Sequence, residues 1–401
     1  MSAEGFGSSQ PGFLRIAQAV DLRLVLPAAA LTCVGLVSLS STRPELVGPQ
    51  LSGIVVGVAA ALALVLLPYR TVLALAWPAW VLAILLLLSV WIPGLGQIVN
   101  GARRWIRLGG VQIQPSEFAK VAQVLVLARY IRFRQDHKTF RGLFVPFLLV
   151  LIPAALVVLQ PDLGSALLLV PSLFAMLWAA GAQPRHLFLV VAFGVASIPV
   201  VYPLLQSYQQ RRVMSYMPEE VRAYLPTPKD EVILSTDPEE RKRIEAQRRR
   251  DADHQIERAE IAIAAGGVTG AGWRDGRMNV GDKVPEDWTD FIYVVHAEEW
   301  GFAGSLVLVA LYGLFFFALA SVATECREPA ARLMVVGALV TLGCQTCVNL
   351  MMTMRLAPVT GVPLPFLSYG RSAMLGTWLL VGLALHAKAR EPRVFSTTDF
   401  D

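Results

Sequence analysis

Long apolar runs recur along this chain and constrain its fold more than any other feature. A membrane-spanning helix needs about 20 mostly apolar residues. Ten candidate runs meet that requirement, at 24–41, 51–68, 71–92, 115–131, 143–159, 163–181, 186–206, 291–322, 331–354 and 370–388. The sequence therefore predicts an all-α polytopic membrane protein, with residues 1–401 forming a single membrane domain. Cytosolic globular, fibrous, disulfide-scaffold and disordered classes are excluded.

The charged residues predict how the chain is oriented. They make up only 16% of the sequence, and nearly half of them lie between residues 207 and 290. Ten spans put both termini on one side. If that side is cytoplasmic, it holds more than twice as many lysines and arginines as the short loops opposite, as the positive-inside rule requires. Residues 1–21 and 389–401 are then cytoplasmic tails, and 207–290 is a large extracytoplasmic loop before the eighth run. The basic residues need no nucleic-acid partner to explain them.

The large loop contains a predicted charged helix. Residues 237–240, Asp-Pro-Glu-Glu, provide an N-cap, a proline at the first helical position and acids in the first turn. We expect the helix to run to Ala265 and to stop at Gly266 and Gly267. Its second half, from Ile256, is apolar enough to lie on the membrane surface or on the protein.

Ionisable residues in the apolar runs are candidates for function because burying a charge in a membrane is costly. Glu117 and Lys120 stand three residues apart on one predicted helix, which suits either a structural ion pair or the floor of a polar cavity. Asp162 follows Pro161 in a short turn between two predicted helices, where it either caps the turn or takes part in a site.

Asp290 is the strongest candidate for chemistry. It lies between Trp288 and Phe291 at the entrance to the eighth run, where aromatic residues suggest the membrane interface. A partly desolvated carboxylate there can have a raised pKa and act as a general base. The alternative is an N-cap, formed by Asp290 or Thr289, and both roles are compatible. Of the adjacent acids Glu298 and Glu299, at least one should point into a polar interior or into the lipid headgroup layer.

Two further features suggest a polar pocket on the same side. Arginines in the outside segments, among them Arg104 and Arg211, would suit a phosphate or pyrophosphate, or alternatively anionic lipid headgroups. Pro358, Gly361 and Pro363 cannot continue a helix after the ninth run. Irregular backbone at membrane depth is tolerated only inside protein or along a cavity, so a re-entrant loop with a hydrated pocket is predicted.

Several motifs, in order, resemble the SEDS family (shape, elongation, division and sporulation) of RodA/FtsW type, and the RodA branch more closely. The matching stretches are Gly-Ala-Arg-Arg-Trp-Ile at 101–106, Gln-Pro-Ser-Glu-Phe-Ala-Lys at 114–120, Gln-Pro-Asp-Leu-Gly at 160–164, Val-Pro-Glu-Asp-Trp-Thr-Asp-Phe at 284–291 and Gly-Val-Pro-Leu-Pro-Phe-Leu-Ser-Tyr-Gly at 361–370. The resemblance implies a fold similar to GT-C membrane glycosyltransferases. It also implies a multi-pass protein of the bacterial cytoplasmic (inner) membrane.

The resemblance also implies an activity. This is polymerisation of lipid II into peptidoglycan glycan strands during cell-wall elongation and shape maintenance, with Asp290 as the essential carboxylate. Implied partners are a class B penicillin-binding protein and other elongation-complex membrane proteins. Either arginines or a divalent cation (Mg²⁺ or Mn²⁺) would stabilise the leaving pyrophosphate. The predicted substrate-binding set is Arg104, Glu117, Lys120, Asp162, Arg211, Gln255, Asn349 and Ser368.

Two other functions stay open at the level of sequence: a lipid II flippase, and a non-catalytic scaffold for the penicillin-binding protein. A carboxylate at the outer interface favours the enzyme. The chain departs from the family pattern at Arg371, Met351 and Arg355, where the family has glycine, and carries an insertion around 218–250.

Overall fold

A computed structural model describes residues 21–99, 102–109, 111–132, 134, 139–204, 210, 256–276 and 286–389. Most of the predicted loop, including its charged half-helix and the insertion at 218–250, lies outside these residues. So do Arg211, Gln255 and almost all of both predicted tails.

The described chain is mostly helical. The helices are α1 (Leu22–Thr42), α2 (Pro44–Leu66), α3 (Tyr69–Ala74), α4 (Ala76–Ser89), α5 (Pro115–Ile131), α6 (Phe144–Leu159), α7 (Leu163–Ala179), α8 (Pro184–Val201), α9 (256–266), α10 (Ile292–Glu325), α11 (Pro329–Thr353) and α12 (Arg371–Ala389). Short 3-10 turns at Arg141–Leu143 and Tyr202–Leu204 adjoin α6 and α8.

Each predicted apolar run coincides with a helix, except that 71–92 is divided between α3 and α4. Within the described residues, six helices are long and apolar enough to cross a membrane, namely α1, α2, the segment 141–159 that contains α6, α10, α11 and α12. The chain is therefore a multi-pass membrane protein. Helices α4, α7 and α8 are apolar but shorter, and α5 carries Glu117 and Lys120.

A small antiparallel sheet corrects the all-α prediction. Strands β1 (Gly96–Val99), β2 (Ala102–Leu108) and β3 (Val111–Ile113) are paired in that order between α4 and α5. The pairing of Leu108 with Val111 leaves a two-residue turn, and Gly109 there has φ of 54°, as hairpin turns of this length require. Strand β2 lacks a regular alternation of polar and apolar residues, because Arg103 is followed by Arg104 and Trp105 by Ile106, so its sequence carries no clear strand pattern.

Helix α10 is not one continuous helix. Gly301 interrupts it with φ of 64° and ψ of −161°. Backbone groups freed by the interruption bond to the segment after α9: Phe302 N donates to Gly267 O at 2.9 Å, and Ala271 N donates to Glu298 O at 2.9 Å. These bonds replace helical ones for the backbone groups concerned, which lowers the cost of the break.

The described half of the predicted loop helix lies on the protein. Helix α9 ends at 266, next to the predicted stop, and Gly267 has φ of 52°. Ala259 and Ala262 are fully buried and pack with Phe291 and Val294 at the start of α10. Of the two positions predicted for this helix, the structure shows the one on the protein surface.

An ion-pair cluster joins three helix ends far from Asp290. Lys388 Nζ on α12 lies 2.6 Å from Asp21 Oδ2 and 2.6 Å from Glu325 Oε2, at the end of α10. Arg23 Nη2 on α1 lies 2.9 Å from Glu325 Oε1. The start of α1 and the end of α12 therefore lie at the same end of the molecule, and the length of α10 separates that end from Asp290.

Helices α2 and α12 pack closely because small residues line their contact. A Cβ built at Gly57 would lie 3.1 Å from Trp378 Cβ, and one at Gly382 would lie 2.7 Å from Ala61 Cα. Small residues at such positions let helix backbones approach in a membrane, where dispersion contacts and hydrogen bonds drive association.

Gly382→Ala should therefore lower the thermal unfolding temperature of the protein purified in detergent, since overpacking of this kind costs about 1–3 kcal/mol. Gly313→Ala on α10 is the matched control, because a Cβ there meets no atom within 4 Å. An unfolding temperature for Gly382→Ala equal to that of the control would contradict the close packing.

Candidate active site

Asp290 occupies a turn, residues 286–290, directly before α10. The N-cap position of α10 is Phe291, and no side chain caps this helix. The prediction that Asp290 or Thr289 acts as a side-chain N-cap is therefore wrong. Instead, Thr289 Oγ1 lies 3.0 Å from Asp290 Oδ1 and 3.1 Å from Glu286 Oε2, so one hydroxyl stands between two carboxylates.

The environment makes Asp290 a stronger base than an ordinary aspartate. The pKa of Asp290 is raised to about 6, chiefly by burial and also by the negative charge of Glu286, while the Thr289 hydroxyl and the Arg104 charge oppose the increase. The side chain nevertheless keeps partial exposure to solvent. A carboxylate with this pKa is ionised at neutral pH and basic enough to take a proton in a reaction.

Three successive carbonyls fix the backbone at Asp290. Trp288 O accepts from Tyr369 N at 2.9 Å, and Thr289 O accepts from Ser368 Oγ at 2.5 Å. Asp290 O accepts from Asn349 Nδ2 at 2.8 Å. The turn is thus attached to the segment between α11 and α12, the predicted re-entrant loop, which the structure shows as irregular backbone over residues 354–370.

The side chains of Asn349 and Ser368 therefore bind backbone carbonyls of Asp290 and Thr289. Asn349 Nδ2 also donates to Val362 O at 2.7 Å, and Ser368 Oγ accepts from Leu364 N at 2.7 Å. Both side chains are buried. The sequence placed them in the substrate-binding set. Their contacts, however, are with the chain itself, and this arrangement supports a positioning role.

Gly361 leaves room beside the Asp290 carboxylate. Its φ of 69° is a conformation that favours glycine. A Cβ built there would lie 3.8 Å from Asp290 Oδ2. The second carboxylate oxygen therefore faces a residue without a side chain.

Arg104 supplies positive charge to the same region. It lies on β2, close enough to Asp290 for its charge to lower the pKa of that carboxyl. Its Nε is buried, and none of the described residues accepts a hydrogen bond from it. A guanidinium with an unpaired donor suits an anionic ligand such as a phosphate.

Glu117 and Lys120 form a buried ion pair. Lys120 Nζ lies 2.9 Å from Glu117 Oε2 and donates to Gln345 Oε1 at 2.8 Å. Gln345 Nε2 in turn donates to Pro363 O at 2.8 Å. The ion-pair interpretation is confirmed, and the pair reaches the re-entrant loop through Gln345. Any contact with substrate stays a prediction.

Asp162 is the N-cap of α7, whereas the sequence predicted a cap of the turn itself. Its Oδ1 accepts from Ser165 N at 3.2 Å at the start of α7, and its Oδ2 accepts from Gln114 Nε2 at 3.4 Å. A Cβ at the adjacent Gly164 would lie 2.6 Å from Thr360 O. The turn containing Asp162 therefore packs directly against the re-entrant loop.

Both acids after the entrance of α10 are buried. Ser41 Oγ and Arg274 N donate to Glu299 Oε1, the second at 3.1 Å. Glu298 is also fully buried, and a Cβ at Gly276 would lie 2.8 Å from its Cδ. The expectation that at least one of them points inward is met by both.

Gln50 is the site residue that sequence reasoning missed. It lies near the start of α2, is buried, and binds the re-entrant loop through both amide atoms: Nε2 donates to Ser368 O at 3.0 Å, and Oε1 accepts from Gly370 N at 3.1 Å. The predicted run began at residue 51 and so excluded it. The sequence signal that could have identified Gln50 is its position directly before an apolar run.

No three His, Cys, Asp or Glu side chains come together as candidate metal ligands in the part of the chain that the structure describes. The described residues therefore offer no ligand set for the divalent cation considered above.

Comparison with known proteins agrees with the motifs. Residues 16–392 match the model of the FtsW/RodA/SpoVE family, described as "Cell cycle protein". The chain is 32% identical over 386 residues to "Probable peptidoglycan glycosyltransferase FtsW" of Geobacter sulfurreducens, covering 92% of this chain and 95% of that protein. It is 32% identical over 317 residues to "Peptidoglycan glycosyltransferase MrdB" of Escherichia coli K12, covering 78% and 79%.

Solved structures show the same similarity. A chain from a peptidoglycan synthase complex, studied for the coordination of polymerization and crosslinking, matches with a TM-score of 0.72 and 29% identity over 93% of this chain and 99% of that chain. The crystal structure of the rod shape determining protein RodA of Thermus thermophilus matches with a TM-score of 0.64 and 29% identity, covering 92% and 96%. The resemblance found in the sequence is thus confirmed, and the chain belongs to the FtsW/RodA/SpoVE family.

Proposed function

We propose that this protein is a peptidoglycan glycosyltransferase that polymerises lipid II into glycan strands during cell-wall elongation and cell-shape maintenance. Membership of the family and the printed activity of its relatives support the reaction class. The observation that carries the proposal for this chain is Asp290, a carboxylate with a pKa raised to about 6, whose backbone is anchored by hydrogen bonds and whose Oδ2 lies beside Gly361.

In the proposed reaction, Asp290 accepts the proton of the acceptor GlcNAc 4-hydroxyl. The resulting oxygen attacks the anomeric carbon of the donor MurNAc, and undecaprenyl pyrophosphate leaves with inversion. The pyrophosphate gains negative charge as the bond breaks, and a preorganised cation stabilises that charge best. Arg104, with its unpaired buried Nε, is the described residue suited to this role.

The proposed topology has ten spans in a GT-C-like arrangement, both termini in the cytoplasm, and residues 207–290 outside the bacterial inner membrane. The cluster of Asp21, Glu325 and Lys388 supports an even number of crossings, because it puts the start of α1 and the end of α12 at one end of the molecule. Asp290 lies at the other end, where the positive-inside rule places the extracytoplasmic face.

We further propose a class B penicillin-binding protein as partner, within the wider group of elongation-complex membrane proteins. The similarity to a chain of a peptidoglycan synthase complex supports this. Transport of lipid II and pure scaffolding remain the competing functions, and the first experiment below separates them from polymerisation.

Asp290→Asn should abolish glycan synthesis, lowering the rate at least about 100-fold, because the amide cannot accept the proton. The assay is the appearance of glycan strands from labelled lipid II with the purified protein and its co-expressed penicillin-binding partner. Asp275→Asn, at an exposed carboxylate on the same side of the molecule, is the control. A wild-type rate for Asp290→Asn would rule out the assigned base. Failure of the wild type to form strands with any partner would favour transport or scaffolding.

The rate should depend on the ionisation of Asp290. Since its pKa is about 6, kcat/KM should be half-maximal near that pH and fall about tenfold per unit below it, because only the carboxylate form accepts a proton. Glu286→Gln removes a negative charge that raises this pKa and should move the acidic limb to lower pH. Thr289→Val removes a hydrogen bond that lowers the pKa and should move the limb to higher pH. Limbs that coincide in all three proteins would contradict the assignment.

Arg104→Gln should reduce kcat at least about tenfold, because the proposed role of Arg104 requires a positive charge near the leaving pyrophosphate. Arg107→Gln is the matched control, since Arg107 lies on the same strand but is exposed. The same lipid II assay measures both variants, and equal rates for the two would remove Arg104 from the leaving-group role.

A further inference from the structure

Gln50 contacts the re-entrant loop from a helix that carries no other assigned function. Only 2% of its surface is exposed. Both amide atoms have a backbone partner at this position: the Nε2 group donates to Ser368 O at 3.0 Å and the Oε1 atom accepts from Gly370 N at 3.1 Å. One side chain on α2 thereby holds the backbone on both sides of Tyr369.

The backbone that Gln50 holds is the same backbone that holds the Asp290 turn. Ser368 Oγ donates to Thr289 O at 2.5 Å, and Tyr369 N donates to Trp288 O at 2.9 Å. Of the donors to the three anchored carbonyls, Asn349 lies outside residues 368–370, on α11. Two of the three anchored carbonyls therefore depend on a segment that Gln50 fixes.

Packing alone does not explain a glutamine at this position. A methionine would fill nearly the same volume, but it would leave Gly370 N and Ser368 O without their amide partner. An unpaired buried backbone group is costly, more so where water is scarce. The segment would then have to move to find new partners, and Ser368 Oγ and Tyr369 N would move with it.

We propose that Gln50 is a positioning residue for the reaction, which acts through residues 368–370 to keep the Asp290 carboxylate in place. The inference rests on the proposed function, because it assigns Gln50 a part in the same reaction. Gln50 touches neither substrate nor the reacting atoms in this scheme.

The test compares Gln50→Met with Gln123→Met in the full-length protein, using labelled lipid II. Gln123 is an equally buried glutamine on α5, whose Nε2 donates to Leu169 O at 2.7 Å and Ser172 Oγ at 2.8 Å. Gln50→Met should lower kcat at least about tenfold, the order of loss expected for a small displacement of a catalytic group, and leave KM within about twofold. Gln123→Met should keep kcat within about twofold of the wild type.

A second readout distinguishes positioning from a general loss of stability. If the Asp290 turn loosens, water enters around the carboxylate and the acidic limb of the pH–rate profile moves to lower pH. Glu286 and Arg104, the charged groups that act on Asp290, are unaltered in the variant. The limb of Gln123→Met should coincide with that of the wild type.

Hydrogen exchange on the wild type provides a check that does not require a folded variant. The Gly370 amide, bonded to Gln50 Oε1, should exchange at least about tenfold more slowly than an unstructured amide. Exchange at the unstructured rate would overturn the proposal. The proposal would also be overturned if Gln50→Met kept the kcat and the acidic pH limb of the wild type. Equal losses of kcat in Gln50→Met and Gln123→Met would overturn it as well. These outcomes presuppose an active wild type and an inactive Asp290→Asn, so they are separable from failure of the proposed function.

Discussion

The site depends on the hydrogen bonds that attach the Asp290 turn to the irregular segment between α11 and α12. Neither piece of backbone is helical, so neither satisfies all of its own polar groups, and a membrane interior offers little water to do so. Hydrogen bonds to the turn supply the missing partners. The carbonyls of residues 288–290 accept from Tyr369 N and Ser368 Oγ of the irregular segment and from Asn349 Nδ2 of α11. The requirement to pair backbone groups thus also fixes the position of the carboxylate.

The polar residues buried among the helices extend this arrangement outward. Gln50 on α2 holds residues 368 and 370, while the Glu117–Lys120 pair on α5 reaches Pro363 through Gln345 on α11. Each charge or amide would be costly alone in an apolar environment. Joined to the re-entrant loop, they connect three helices to one segment. A substitution in any of these helices can therefore alter the base without touching it.

Hydropathy predicted the helices well because each span must meet a local requirement for length and apolarity. Asp290 was identifiable because it is a carboxylate between aromatic residues at the entrance to a helix. Features set by contacts distant in sequence were less accessible. The Gly301 break is satisfied by residues 267–272, and the absence of an N-cap role for Asp290 follows from geometry at Phe291. Gln50 was passed over because its partners lie more than 300 residues away.

The departures from the family pattern have local physical explanations. Arg355 stands where the family has glycine and has φ of 58°, a left-handed conformation that costs a non-glycine residue about 1–2 kcal/mol. Its side chain is exposed and pairs with Glu260 at 3.5 Å. The cost of arginine at this position is therefore backbone strain. Arg371 faces Gly53 of α2, where a Cβ would lie 3.1 Å from Arg371 Cα and 3.2 Å from its Cγ. Gly53 on the opposing helix therefore leaves space for Arg371, the position at which the family has glycine. The close approach of α2 and α12 therefore survives the substitution, and with it the reach of Gln50 to the loop that holds Asp290.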